Sequence, residues 1–467
     1  MKLKQLTRGM QGLEIKGSKE IAITGLCSDS RMAAPGNLFI AKSGTAAYGG
    51  DFVEKALAAG AVAVVTDLYN PFLKATQLIC REPIQMEGQL AARYYGHPSE
   101  KLFVVGVTGT KGKTTTAYLI RHLFEGLGEK CGLIGSVEAI VGARVIPSKL
   151  TTHDVITNHK LLREMCDGGC EAAVLEVSSH GLEQGRVGEI AFDIGLFTNL
   201  TPDHMDYHKT MDNYAAAKGK LFQGLEGTAI VNGDSPWADK MQGGKKRVTF
   251  GLGAVDVRAT DVQDGEFWVK GVRFVTQLMG RFNIYNMLGA IAVGLEVGAP
   301  LAKIAEIMAT FQNVPGRMER VPNRRGIEVF VDHAHMGDAL ENVLKTVREL
   351  NPKRVILVFG CGGDRDPGRR VQMAEVAEKL ADLSIVTNDN PRGEDPAKIA
   401  EQILGGFLHP EKVVMELDRA KAITKAIQMA EKGDVVLIAG KGHEKTQIFA
   451  RQTIPFDDVL VAKEALF

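Results

Sequence analysis

The run Val104-Val105-Gly106-Val107-Thr108-Gly109-Thr110-Lys111-Gly112-Lys113-Thr114-Thr115-Thr116 constrains this chain more than any other stretch. Residues 102–105 read as a buried strand, and 117–127 follow a helical pattern. Strand, glycine-rich turn and helix in that order make a phosphate cradle. The glycines let backbone N–H groups approach phosphate oxygens, and the helix N-terminus adds a partial positive charge. Lys113 is placed to reach the terminal phosphates and the Thr114 hydroxyl to bind Mg²⁺. The strict pattern G-x-x-x-x-G-K-[ST] would require a glycine where Val107 stands, so only the shorter form ending in Gly-Lys-Thr is present. The competing reading is a glycine-rich turn that binds no nucleotide. The agreement of strand, loop, Lys-Thr and helix argues against it.

A chain of 467 residues exceeds one ordinary domain. Turn chemistry at Gly96-His97-Pro98-Ser99 and Val314-Pro315-Gly316-Arg317 divides it into units 1–98, 99–318 and 319–467. All three read as α/β. The first alternates short strands, among them 21–23, 38–41 and 61–65, with a helix over 53–59. The central unit has strands over 172–176, 193–199 and 228–232 between helices, which favours a mostly parallel sheet, and an alternating stretch over 245–280 that reads as a small antiparallel sheet. The last unit reads as a doubly wound, Rossmann-like domain without a Lys-Thr loop of its own, with Asp332, Gly360, Thr387 and Gly440 each following a strand, where such sheets bind ligands. Lys plus Arg and Asp plus Glu number 56 each, so neither a basic field for nucleic acid nor a polybasic membrane anchor is expected. The six cysteines are scattered without C-x-x-C, which suits reduced thiols in the cytoplasm. Cys166 and Cys170, one helical turn apart, read as structural. No signal-peptide core follows Met1, and no run approaches the ~18 apolar residues of a membrane span.

Three further constellations have the residue types of a reaction centre. Glu176 ends an apolar strand, as a Mg²⁺-binding acid does, and Ser178-Ser179-His180-Gly181 follows it; the plain alternative is a polar turn. In Thr198-Asn199-Leu200-Thr201-Pro202-Asp203-His204-Met205-Asp206-Tyr207-His208, the His-x3-His spacing lacks the H-E-x-x-H of a zinc protease. Imidazole and carboxylates beside Mg²⁺ fit better; the plain alternative is a helix start capped by Asp203. Lys218, in a run of small residues, reads by itself as a solvated lysine. Gly360-Cys361-Gly362-Gly363-Asp364-Arg365-Asp366, Asp389-Asn390-Pro391-Arg392 and Gly440-Lys441-Gly442-His443-Glu444 are polar turns after strands. Each alone is a loop; together at one sheet edge they predict a binding crevice.

Taken together these residues resemble the Mur ligases, the ATP-dependent enzymes that build the peptidoglycan peptide. The resemblance spans the chain, and the run Glu176-Val177-Ser178-Ser179-His180-Gly181 sets it apart from the relative that adds D-alanyl-D-alanine. It implies uridine-binding, ATPase and amino-acid-binding domains, and a reaction joining meso-2,6-diaminopimelate to UDP-N-acetylmuramoyl-L-alanyl-D-glutamate through an acyl phosphate. By resemblance, Gly109, Thr110, Lys111, Gly112, Lys113, Thr114, Thr115, Asn286, Arg317, Asp332 and His335 contact ATP. Ser30, Thr151, Thr152, Ser178, Gln184 and Arg186 contact the muramoyl peptide. Thr114, Glu176, His204 and Lys218, the last as a carbamate, hold Mg²⁺. Arg365, Asp389, Asn390, Pro391, Arg392, Gly440 and Glu444 take the incoming amino acid. Lys113, Glu176, His204 and Lys218 form the catalytic set. A cytoplasmic monomer is expected.

The chain departs from the family pattern at His153, at Tyr48-Gly49-Gly50-Asp51-Phe52, and at Asp332-His333-Ala334-His335-Met336-Gly337, where the family reads D-Y-A-H-T-P. Two other readings stay open at this point. L-lysine is the alternative amino acid, and a phosphate-loop switch without turnover is the alternative from another class. A folate polyglutamylating ligase shares the loop but not the amino-acid turn.

Overall fold

In the computed structural model, residues 1–42, 48–263 and 265–467 are described. They form two compact units, one of Met1–Asp261, Trp268–Phe274 and Tyr285–Met308, the other of Val262–Phe267, Val275–Ile284 and Ala309–Phe467.

The first unit contains an N-terminal sheet in the order Glu14–Lys16, Thr76–Ile79, Ala63–Thr66, Asn37–Ile40, Gly25–Cys27, antiparallel only in its first pair. Leu38, Ile40 and Val65 face one apolar layer and Phe39 and Val64 another, because successive strand side chains alternate. The strand expected at 21–23 is not formed. Ala22 makes a single antiparallel bridge with Lys2, since its partner segment turns at once into the helix Leu3–Leu6 and leaves no length to pair with.

The same unit holds the larger sheet. Its strands Lys246–Gly251, Thr228–Asn232, Ile194–Phe197, Phe103–Thr108, Ala172–Glu176 and Cys131–Ile134 are all parallel. Glu138–Val141 and Arg144–Pro147 then extend it antiparallel. The strands of this core are buried on both faces, which explains their unbroken apolar sequence. Lys246–Gly251 also runs parallel to Val257–Gln263, and Glu266–Val269 and Val272–Val275 continue the sheet order, so the alternating stretch read at 245–280 joins the large sheet. The parallel register has a functional consequence. The carboxyl ends of Phe103–Thr108, Ala172–Glu176 and Ile194–Phe197 lie side by side, so the segments starting at Gly109, Val177 and Thr198 emerge together.

The second unit is the expected doubly wound fold. Its order is Glu319–Arg320, Glu328–Asp332, Val435–Ala439, Val355–Phe359, Leu383–Val386, Val414–Met415, antiparallel only in the first pair. Phe330, Leu357 and Leu437 face one helical layer, and Val329, Ile356 and Ile438 the other. Among the described residues no helix is long and apolar enough to cross a membrane, and the six cysteines are free thiols.

Candidate active site

The loop after Phe103–Thr108 passes through Gly109 at φ +149° and Gly112 at φ +84°, values that disfavour any residue with a Cβ. A Cβ at 109 would strike the Thr198 hydroxyl, and one at 112 the Asn286 amide oxygen, so glycine is also required by space. The neighbouring strand end braces the loop: Thr110 N donates to Asn199 O at 2.9 Å, Lys111 N to Asn199 Oδ1 at 3.0 Å, and Thr198 Oγ1 to Lys111 O at 2.7 Å. The helix Lys113–Gly126 starts there, with Thr114 and Thr115 buried in its first turn. Lys113 Nζ donates to the carbonyls of Gly109 and Thr110, both at 2.9 Å. Asn286, on Arg281–Glu296, accepts from Thr116 Oγ1 at 3.4 Å and so packs against the loop, as expected.

Glu176 is fully buried at the end of its strand. Its Oε2 accepts from Thr114 Oγ1 at 2.9 Å and from Ser136 Oγ at 3.0 Å, and its Oε1 from Ser136 N at 2.8 Å. Ser136 Oγ also lies at hydrogen-bond distance, 3.0 Å, from Thr151 Oγ1. Thr152 Oγ1 donates to Glu176 O at 2.9 Å and receives Ser178 N at 2.9 Å, while Arg186 donates to Thr152 O at 2.8 Å and to Gln184 Oε1. Five of the six residues assigned to the muramoyl peptide are therefore one hydrogen-bonded patch leading into Glu176. Ser30 stands on another element, at the turn after Gly25–Cys27.

Lys218 overturns its plain reading as a solvated lysine. It is 1% exposed, its Nζ donates to Gly109 O at 2.8 Å, and it lies 4.6 Å from the Tyr214 ring centre. Burial, reinforced by the Lys113 charge, holds its amine well below the usual lysine range. The small residues around it explain how: Ala215 and Ala217 pack the helix Met211–Gly219 tightly into the core. His204 sits at φ +55° before the helix Met205–His208, its ring 4.9 Å from His180 and 6.3 Å from Tyr214. Its affinity for a proton is lowered by burial, against the pull of Asp203. Asp203 does not cap the helix; its Oδ1 accepts the adjoining His204 N at 2.8 Å. Among the described residues no three His, Cys, Asp or Glu groups converge as a metal site, so a metal here would have to draw on Thr114 and Lys218 as well.

In the second unit the loops after four parallel strands meet at a cleft of about 240 Å³, lined by Arg365, Asp389, Asn390, Arg392, Gly440 and Glu444 among others. Asn390 Nδ2 donates to Glu444 Oε2 at 2.7 Å. Arg392, at φ +50°, donates to Gly363 O at 2.9 Å, which ties the turn at 389–392 to the loop at 360–366. Gly363 N donates back to Asn390 O at 2.9 Å, and a Cβ on Gly363 would collide with Pro391 O. Arg365 is exposed at the rim, touching only Asp364 O at 3.3 Å among its described hydrogen bonds. Asp389 is buried, which raises its pKa against the pull of Arg419 and Lys441. Beneath the cleft Arg419 and Asp458 form a fully buried bidentate pair at 2.7 Å, and Arg419 also donates to Ala439 O at 3.0 Å and Asn388 O at 3.3 Å. The three expected ATP contacts of this unit cluster beside Glu328–Asp332. Asp332 accepts Met318 N at 2.7 Å, burial raises its pKa against the pull of the Arg317 charge, and His335 Nδ1 lies 2.8 Å from His333 O. The departure at His333 adds a ring 4.8 Å from His443, whose pKa is lowered to about 4 by burial and then by Arg317.

Sequence reasoning passed over Ser136, Tyr214, Arg419, Asp458 and Lys441. Lys441 and Tyr214 lay inside stretches already singled out; Ser136, Arg419 and Asp458 carry no local signal, because their partners are remote in the chain.

Comparison with known proteins bears on the whole chain. Family models match three stretches: the Mur ligase family catalytic domain at 22–95, the Mur ligase middle domain at 107–294, and the Mur ligase glutamate ligase domain at 316–442. The chain is 40% identical to the UDP-N-acetylmuramoyl-L-alanyl-D-glutamate–2,6-diaminopimelate ligase of Chlamydia caviae, over 100% of this chain and 99% of that protein. It is 43% identical to the ligase of the same name from Synechococcus elongatus, over 96% and 94% of the two chains. A solved structure of a UDP-N-acetylmuramoyl-L-alanyl-D-glutamate–2,6-diaminopimelate ligase matches with a TM-score of 0.71 at 32% identity, covering 100% of this chain and 98% of that one. MurF of Thermotoga maritima, solved in complex with ADP, shares the fold at a TM-score of 0.63 and 18% identity, over 96% and 99% of the chains.

Proposed function

The chain belongs to the Mur ligase family, and we propose that it joins meso-2,6-diaminopimelate to UDP-N-acetylmuramoyl-L-alanyl-D-glutamate, with ATP cleaved to ADP and phosphate, in peptidoglycan synthesis. The observation that carries the reading is the cleft of the second unit, where Arg365 and Arg392 share a wall with the Asn390–Glu444 pair. Meso-diaminopimelate differs from lysine by a carboxylate at its far end. A guanidinium holds a carboxylate with two parallel bonds and repels an ammonium without one. The L-lysine alternative is accordingly not favoured.

In this reading the loop amides, the N-terminus of Lys113–Gly126 and Lys113 itself hold the ATP phosphates. Thr114 and Glu176 offer hydroxyl and carboxylate oxygens 2.9 Å apart, the hard donors Mg²⁺ prefers, with His204 and Lys218 completing the set. Bound there, Mg²⁺ supplies charge neutralisation for phosphoryl transfer. Lys218 suits carbamylation because burial weakens the hold of its amine on a proton. The lone pair of the deprotonated amine adds to CO₂, an N–H proton leaves, and the side chain becomes an anionic oxygen donor. The patch of Thr151, Thr152, Ser178, Gln184 and Arg186, with Ser30 on the uridine side, orients the muramoyl peptide. Its D-glutamyl γ-carboxylate attacks the γ-phosphorus, ADP leaves, and an acyl phosphate forms. The amine of diaminopimelate then attacks the acyl carbon, phosphate leaves, and the amide remains once the nitrogen has lost its proton. The protein contributes positioning and charge stabilisation. We assign this work to a cytoplasmic monomer.

The test is phosphate release from ATP with UDP-N-acetylmuramoyl-L-alanyl-D-glutamate and each candidate amino acid in turn. Release that depends on both the muramoyl dipeptide and meso-diaminopimelate is expected, with L-lysine a poor replacement. Nucleotide binding without substrate-dependent turnover would restore the switch reading.

A further inference from the structure

Lys441 is the one lysine of the second unit whose side chain is fully buried among the described residues, and nothing in the reaction above uses it. Its Nζ donates to Asn390 Oδ1 at 3.0 Å and to Glu444 Oε2 at 2.9 Å. Asn390 is buried as well, and its Oδ1 receives a second bond from Ile448 N at 3.0 Å, while its Nδ2 donates to Glu444 Oε2 at 2.7 Å. An amide has one acceptor end and one donor end. With two fixed donors on its oxygen, Asn390 can point its NH₂ only toward Glu444. Glu444 in turn takes two bonds on Oε2, which leaves Oε1 as the oxygen available to a ligand ammonium.

We propose that Lys441 is a positioning residue for the incoming amino acid, its buried ammonium locking Asn390 and Glu444 into one rigid acceptor for a ligand ammonium. This rests on reading the cleft as the amino-acid site. The charge matters as much as the geometry. Burial alone would push the Glu444 carboxyl up, yet Lys441 and the bonds from Lys441 and Asn390 outweigh it and hold the group below its usual range. Glu444 thus stays anionic in a half-buried wall. Without Lys441, Asn390 Oδ1 and Glu444 Oε2 each lose one of two donors, the amide oxygen is held by Ile448 N alone, and the carboxylate loses its counter-charge.

The experiment is steady-state kinetics of the full chain with Lys441→Met, Lys441→Arg, Glu444→Gln and the double variant Lys441→Met/Glu444→Gln, each with its thermal unfolding curve. Lys441→Met should raise KM for meso-diaminopimelate on the order of tenfold to a hundredfold, the size expected for hydrogen bonds to a charged group. KM for ATP and for the muramoyl dipeptide should stay within about twofold, and Lys441→Arg should recover part of the loss. The double variant relieves the uncompensated carboxylate, so it keeps the test open should the single variant fold poorly. On the proposal, adding Lys441→Met to Glu444→Gln raises KM much less than it does in the parent. A parental KM for meso-diaminopimelate in Lys441→Met, an equal rise in all three KM values, or the same factor with and without Glu444 would each overturn it. A parent that turns over with no added diaminopimelate, or not at all with it, would sink the functional reading and this proposal together, whereas an active parent with an indifferent Lys441→Met sinks the proposal alone.

Discussion

In the glycine loop Lys113 bonds the carbonyl of Gly109, four positions back in the chain; in the cleft of the second unit Asn390 and Glu444 stand 54 positions apart. The first centre is made mainly of main chain. Gly109 and Gly112 hold the positive φ angles that turn the loop, and the Lys113 ammonium folds back on adjoining carbonyls. The second is made of charged side chains brought in by four strand ends, over a buried ion pair. A local loop is lost by changing the loop. A dispersed cleft is also lost from below, through residues that never touch a ligand.

The sharpest way to break this contrast is from beneath the cleft. Asp458→Ala leaves the Arg419 guanidinium buried and uncompensated, a change that costs about 3–5 kcal/mol. Chemical denaturation should show that loss in the transition of the second unit. An unchanged midpoint would mean that the pair does not support the cleft.

Lys113→Ala probes the other side. Single groups that stabilise transition-state charge supply about 2.7–4 kcal/mol, so ATP-dependent phosphate release should fall by a factor of roughly 100 to 1000 while the protein stays folded. Near-parental release would remove the loop from the reaction. Lys218→Ala should lose a similar amount, but with a distinguishing feature: short carboxylates should restore part of the rate by replacing the lost oxygen donor. A crystal of the active, metal-loaded enzyme with a bare ammonium at Lys218 would count against the carbamate.

Arg392→Ala sharpens the comparison from within the cleft. A charged hydrogen bond contributes roughly 1.5–3 kcal/mol, so the ratio of kcat/KM for meso-diaminopimelate over L-lysine should drop by about ten- to a hundredfold. A variant that retains the full parental preference would move the discrimination elsewhere on the cleft wall.

The smallest expected effect is on stability against pH. His443 has a folded pKa of about 4, against an ordinary value of about 6.5 in the unfolded chain. Between those values the unfolded chain binds a proton that the folded chain refuses, so stability rises with pH across that window and the contribution is flat on either side. Burial lowers His333 in the same direction. His443→Gln should make the rise shallower, as read from denaturation midpoints between pH 4 and 7; an unaltered slope would refute this origin.

The large sheets, the glycine loop between strand and helix and the place of Glu176 at a strand end were legible in the sequence because each is signalled within a few consecutive residues: an apolar run, then glycines or a charged group. The doubly wound second unit was legible for the same reason. The strand read at 21–23 was not borne out, since pairing depends on the length of a partner the segment itself does not contain. Beyond the loop, Glu176, the His204 segment and the polar turns at 360–366, 389–392 and 440–444 were raised by the residues themselves; the remaining assignments came from family resemblance, and tertiary structure supplied their physical setting. Lys218 shows the limit most plainly. Its own neighbourhood of alanines reads as an ordinary helix, and only packing against Tyr214 and a hydrogen bond to Gly109, 109 residues away, decide that it is buried and that its amine holds a proton less tightly than usual. Lys441 is the same case in the second unit: the sequence placed it in a polar turn, and the fold alone put Asn390 and Glu444 around it. Sequence determines what is local, because torsion preferences and strand periodicity act between neighbours. Burial and the charge state of an amine depend on everything that surrounds it, and that is settled only when remote segments meet.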